Sequence, residues 1–215
     1  IKWTLATGHA DTDFLDSLAL QTRWLARRLE THLLGNHLFV NAKALVFAGT
    51  FFDGEEAREW HRIGVRLLQQ EIPEQILGDG GQFERSPMYH ALALEDMLDL
   101  LNLQRGSKSG VRRTPIDATN WDGRLVERMW RWLHLMSHAD GAPTLFNDCA
   151  SGIAPSLAEL DAYAANLGLA APSQPESVEQ LADSGYIRLQ AGAAVAWFDA
   201  APVGPDYLPA HAHAD

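Results

Sequence analysis

The spacing of apolar positions divides the chain into a long helical part and a short strand-forming part. Phe14, Leu18, Leu25, Leu29 and Leu33 recur at helical intervals, which predicts an amphipathic helix over about Asp13 to Leu34. Gly35 stops it, Asn36 and His37 occupy the corner, and Ala42, Leu45, Val46 and Ala48 carry a second, mostly apolar helix to about Phe52. After the turn signal Asp53-Gly54, Trp60, Ile63, Val65, Leu67 and Leu68 define a third helix toward Ile76, which Pro73 either kinks or divides. Another runs from Pro87 through Leu94, Met97, Leu98 and Leu101 to about Gln104. Helical spacing resumes from Trp121 to Ser137. A strand-like Thr144-Leu145-Phe146 follows, and Ser156 to Leu167, preceded by Pro155 and closed by Gly168, make the last helix.

From Ala170 the pattern changes. A Pro/Ser/Gln-rich stretch from Ala171 to Ser177 leads to Tyr186-Ile187-Arg188-Leu189-Gln190, then Ala191-Gly192, then Ala193 to Phe198, which predicts a β-hairpin with a two-residue turn. The fold class expected is α+β, mainly α: antiparallel helix hairpins over residues 1–170, a linker over 171–182 and the first strands of a β domain over 183–215.

Composition narrows the function classes. A hydrophobic content of 47% in 215 residues is ordinary for a globular core. No apolar run approaches the roughly 18–20 residues that a membrane span requires. A net charge of −11 argues against a general affinity for nucleic acid or anionic membranes. The single cysteine, Cys149, excludes an internal disulfide. The chain starts at Ile1 and stops at Asp215, so it is expected to be an excerpt of a longer protein.

Three places concentrate chemistry-bearing side chains. The first is Gly80-Gly81-Gln82-Phe83-Glu84-Arg85-Ser86-Pro87-Met88-Tyr89-His90, a glycine-rich bend feeding a helix that Ser86 is placed to cap and Pro87 to start. Either the arrangement gathers a phenol, an imidazole and a guanidinium at a helix N-terminus suited to an anion, or it is an ordinary capped start with packing residues. The second is Asn36-His37. The third is His211-x-His213-x-Asp215, which on a strand aligns its side chains on one face as a metal or acid/base cluster, or else is a chain-end tail. Arg105, Lys108, Arg112 and Arg113 form a basic run in a polar loop.

Together these segments resemble the heparinase II/III-like polysaccharide lyases. The resemblance rests on Gly35-Asn36-His37-Leu38 with Asn41-Ala42-Lys43-Ala44-Leu45, on Asp79 to His90, on Phe146-Asn147-Asp148, on Asp183-Ser184-Gly185-Tyr186, and on Gly204-Pro205-Asp206-Tyr207-Leu208-Pro209 before His211-x-His213. It implies an incomplete (α/α) toroid followed by the start of an antiparallel β-sandwich, and β-elimination on a uronic-acid-containing glycan of heparan, alginate or another acidic type. It implies catalytic roles for Asn36, which neutralises the sugar carboxylate, for Tyr89 as acid or as acid and base, and for His211 as base on the opposite epimer. His37, Glu84, Arg85 and His90 are expected to bind substrate, with Arg85 and the helix N-terminus stabilising a phenolate. His213 is a candidate ligand for a structural divalent metal, Zn or Ca, in the sandwich, and the reaction needs no cofactor. The expected partner is an acidic polysaccharide or oligosaccharide, in a bacterial periplasmic or secreted setting with a cytoplasmic one left open. The alternatives are a non-catalytic glycan-binding fragment and a toroid glycoside hydrolase, for which Glu84 and Asp79 are the acids beside the site.

Overall fold

The computed structural model describes residues 1–9, 11–33, 35–106 and 123–207; among them seven helices precede a three-stranded antiparallel sheet. The helices are α1 (Lys2–Thr7), α2 (Thr12–Ala26), α3 (Asn36–Phe51), α4 (Glu55–Gln75), α5 (Pro87–Gly106), α6 (Gly123–Leu135) and α7 (Leu157–Asn166). The strands are β1 (Val178–Leu181), β2 (Tyr186–Ala191) and β3 (Ala194–Asp199). The fold class is therefore mainly α with strands at the end. The chain groups into two compact units, one mainly Ile1–Ile72 and the other Pro73–Asn102 with the described part of Trp121–Asp215.

In the first unit Asp11 caps α2 by accepting the Phe14 N–H at 2.7 Å. The helix ends at Ala26, well before the Leu34 that apolar spacing predicted. Asn41 explains part of the difference: its side-chain oxygen accepts the Glu30 N–H at 3.0 Å and its amide donates to the Glu30 carboxylate at 2.9 Å. A side chain eleven residues away thus takes an amide that a continued helix would need. Leu29 still packs against the buried Leu45, Ala48, Ala57 and Trp60, so its apolar periodicity is satisfied by burial without helix. Helices α3 and α4 run antiparallel with their backbones nearly touching. A Cβ on Gly49 would lie 2.5 Å from the His61 nitrogen, and one on Gly64 2.7 Å from the Ala42 carbonyl oxygen. Pro73 sits within the last turn of α4, which is not divided there.

In the second unit the chain doubles back after α4. Phe83 N–H donates to Gln75 O, and Leu77 N–H to Gly81 O, each at 2.8 Å. The core is Trp132, Leu135 and Met136, at and just beyond the end of α6, against Leu181 and Tyr186 of the sheet, with Phe146 and Trp197 alongside. β1 falls inside the stretch 171–182 read as linker. Only Leu181 of its four residues is buried, so local pattern carries little strand signal, and pairing with β2 from Val178↔Leu189 to Leu181↔Tyr186 creates the strand. The β2–β3 turn is Gly192-Ala193, one residue later than predicted, because Ala191 pairs with Ala194 and Gly192 takes φ 61°. Residues 144–146 form no strand; Thr144 N–H instead donates to Met136 O at 2.9 Å. α7 starts on a reciprocal capping box between Ser156 and Glu159.

Candidate active site

The glycine-rich bend is held by one carboxylate. Asp79 Oδ1 accepts the Gly81 N–H at 2.9 Å, and Oδ2 accepts the N–H of Asp183 at 3.0 Å, the N–H of Ser184 at 2.7 Å and the Ser184 hydroxyl at 2.8 Å. The bend lies against α6: at Gly80, with φ 93°, a Cβ would fall 2.6 Å from the Arg128 carbonyl. Trp132 Nε1 donates to the same Ser184 hydroxyl at 2.9 Å. Two residues on, Gln82 and Glu84 exchange bonds, the Gln82 amide donating to Glu84 Oε1 at 3.2 Å and the Glu84 N–H to Gln82 Oε1 at 3.0 Å. Arg85 then adopts a left-handed backbone, φ 60°, and α5 begins at Pro87.

Tyr89 lies in the first turn of α5, partly exposed, with its hydroxyl 3.5 Å from Asp148 Oδ2. Burial pushes its pKa above the ordinary phenol value, and the negative charges of Asp148 and Glu84 push it further. This reverses the expectation that Arg85 and the helix N-terminus would stabilise a phenolate. The Arg85 guanidinium donates instead to the Pro202 carbonyl. Ser86, Pro87 and Met88 are buried, and the Met88 amide reaches the Cys149 sulfur, so protein atoms fill the helix start where an anion was anticipated. The Ser86 hydroxyl lies against the same thiol and bonds no helix amide, so Ser86 is not a side-chain cap. Burial raises the Cys149 pKa and keeps the thiol neutral.

His90 does not serve the substrate-binding role expected of it. It is fully buried, stacked on Trp132 with ring centroids 4.3 Å apart. Its Nδ1 accepts the Gln82 N–H at 3.1 Å, and its Nε2 donates to the Met129 carbonyl at 2.8 Å. Burial lowers its pKa to about 4, so the ring is neutral and braces the bend against α6. Glu84, expected on the substrate, is 5% exposed and bound to Gln82. It acts on the site through its charge on Tyr89.

Asn36 and His37 belong to the first unit. Asn36 is the first residue of α3, partly exposed, entered from Gly35 at φ 92°. His37 is exposed, with Nδ1 3.6 Å from Glu30 Oε1. His211, His213 and Asp215 lie outside the described residues, as do Lys108, Arg112 and Arg113 of the basic run. Among the described residues no group of three His, Cys, Asp or Glu side chains is arranged to hold a metal ion. None of the helices there is long and apolar enough to cross a membrane.

Three residues at this site had no role in the sequence reading. Asp148 faces the Tyr89 hydroxyl, while Asn147 and Tyr186 both bond the Arg85 carbonyl, at 3.1 and 2.8 Å. The signal was present, since Phe146-Asn147-Asp148 and Asp183-Ser184-Gly185-Tyr186 were among the resembling segments. Nothing in residue type alone marked them as neighbours of Tyr89. What the site offers chemically is a phenol held in its protonated form, able to donate to a departing oxygen.

The chain matches the family described as Heparinase II/III N-terminus over residues 6–163 and the Heparinase II/III-like, C-terminal family over residues 173–215. A heparin-sulfate lyase of Bacteroides stercoris is 40% identical over 70 residues, which cover 32% of this chain and 10% of that protein. Another, from Pedobacter heparinus, is 34% identical over 87 residues, covering 40% of this chain and 13% of that protein. The crystal structure of heparan sulfate lyase HepC from Pedobacter heparinus superposes with a TM-score of 0.64 at 23% identity, over 93% of this chain and 32% of that one. A crystal structure of heparinase III gives 0.67 at 20% identity, over 88% and 32%. The likeness shows the fold: helix hairpins of an incomplete (α/α) toroid leading into an antiparallel sheet. The chain aligns with about a tenth of the curated relatives' length and spans about a third of the solved chains.

Proposed function

The chain belongs to the heparinase II/III family, and from that membership we propose that the protein carrying it is a lyase that cleaves a uronic-acid-containing polysaccharide by β-elimination. The C5 proton of a uronate lies α to a carboxylate, and its removal needs that negative charge neutralised or strongly hydrogen-bonded. The Asn36 amide, with His37 beside it, supplies this. A base takes the C5 proton, the electron pair forms the C4=C5 double bond, the C4–O4 bond breaks, and an acid protonates O4. Tyr89 is the acid. His211 takes the proton for one C5 epimer; for the other, where proton and leaving group share a face, Tyr89 has both tasks.

The observation that carries the reading is the state of Tyr89, a partly exposed phenol whose pKa is raised by burial and by Asp148 and Glu84. At neutral pH it has a proton to give. Hydrolysis is disfavoured by the same surroundings. A glycosidase needs two available carboxyl groups, whereas Asp79 accepts four hydrogen bonds from the bend and the 183–184 turn, and Glu84 is buried against Gln82. The test is to incubate the full-length protein with heparan-type, alginate-type and other acidic glycans and to follow absorbance in the near ultraviolet. A 4,5-unsaturated uronate is expected. Reducing ends without that chromophore would show hydrolysis, and binding without turnover would reduce the protein to a glycan-binding module.

A further inference from the structure

Two non-glycine residues among those described have left-handed backbones, Arg85 at φ 60° and Asn147 at φ 52°, and they are bonded to each other. Such conformations persist where the surroundings over-determine them. Here the surroundings are a closed triangle. The Tyr186 hydroxyl donates to the Arg85 carbonyl at 2.8 Å, and the Asn147 amide donates to the same carbonyl at 3.1 Å and to the Tyr186 oxygen at 2.9 Å. Tyr186 opens β2 and is fully buried, wedged against Trp132 at 6.0 Å and Phe146 at 5.1 Å between ring centroids. Burial raises its pKa, so the hydroxyl stays a donor. The preceding turn is fixed as well: Asp79 binds Asp183 and Ser184, and at Gly185, with φ 83°, a Cβ would fall 2.5 Å from Ala201.

Both bonded partners lead directly to the reacting phenol. Arg85 lies two residues before the first residue of α5 and four before Tyr89. Asn147 immediately precedes Asp148, whose carboxylate faces the Tyr89 hydroxyl at 3.5 Å. We propose that Tyr186 and Asn147 are positioning residues that clamp the Arg85 backbone, so that the sheet fixes where Tyr89 and Asp148 meet. The proposal rests on the assignment of Tyr89 as proton donor. Tyr186 touches no substrate in this scheme and acts only through the two backbones it holds.

The experiment uses the full-length protein with Tyr186→Phe, which keeps the ring and removes the donor, and Asn147→Gly, which keeps access to positive φ and removes the amide. Misplacing a proton donor costs turnover more than binding, so kcat is expected to fall about 10- to 100-fold with KM within about twofold. A second readout needs no substrate: with 13C-labelled tyrosine Cζ, the Tyr89 resonance titrates above the ordinary phenol range in the native protein and nearer to it in both variants. Native kcat in both variants beside an inactive Tyr89→Phe overturns the clamp and leaves the lyase reading standing. Native kcat in Tyr89→Phe removes Tyr89 as the proton donor instead, and the clamp is then judged by the titration, a Tyr89 curve unchanged in Tyr186→Phe and Asn147→Gly refuting it.

Discussion

Acidification should destabilise this protein through the buried imidazole of His90. An exposed imidazole titrates near 6.5, whereas burial lowers the His90 value to about 4. Between those values the unfolded chain binds a proton that the folded chain refuses, so stability is lost as pH falls from about 6.5 toward 4. The difference in proton binding amounts to about 2 kcal/mol at pH 5 and about 3 kcal/mol at pH 4. Protonation would also cost Nδ1 its lone pair, and with it the acceptor for the Gln82 N–H. The assay is denaturant unfolding between pH 7.5 and 4.5 of the native protein and of His90→Gln, whose side chain does not titrate. His90→Gln should be less stable at pH 7.5, and its stability should fall less steeply with acid; the gap between the curves closes by about 2 kcal/mol by pH 5. His61, whose pKa burial also lowers, contributes to both curves and cancels. Parallel curves would show that His90 is not held neutral by its burial.

At Gly80, alanine must adopt φ 93° with its Cβ 2.6 Å from the Arg128 carbonyl, so Gly80→Ala should cost on the order of 2 kcal/mol or more; calorimetry reads this as a lower melting temperature. If the proposed lyase reading holds, Tyr89→Phe should abolish glycan cleavage by the full-length protein while leaving the melting temperature nearly unchanged, since the ring still packs. His211→Ala should impair cleavage at one uronate epimer only, checked with glucuronate- and iduronate-rich substrates; equal retention on both would remove His211 as the base. Asp148→Asn deletes a charge that raises the Tyr89 pKa, so the alkaline limb of the kcat profile should move to lower pH.

Helix hairpins giving way to strands were legible because apolar periodicity reports which face is buried, and burial faces are local. Where an element was decided by a distant partner, periodicity failed. α2 stops at Ala26 although apolar spacing continues, because Asn41 takes the Glu30 amide. β1 exists because β2 pairs with it, with one inward residue of its own. The site divides in the same way. Tyr89 in the first turn of α5 followed from Pro87, but the behaviour of its phenol depends on Asp148, 59 residues later. His90 looked reactive beside it, and only the fold shows both nitrogens engaged, one by the Met129 carbonyl 39 residues away.

The charge around Tyr89 bears on the division of labour in the proposed elimination. A tyrosine that acts as base needs cations or donors to favour its phenolate. Here the Arg85 guanidinium, expected to favour the phenolate, is engaged by the Pro202 carbonyl, the α5 amide at Met88 points to a neutral thiol, and two carboxylates act on the phenol. Each of these features retains the proton. The arrangement suits a group that must reach the leaving oxygen still protonated, and it leaves C5 deprotonation to another residue wherever the stereochemistry permits. The Asp148→Asn variant makes this a question of sign. An acid loses alkaline activity when its pKa falls, whereas a base gains activity at neutral pH from the same change, so the direction in which the profile moves identifies which proton transfer Tyr89 performs.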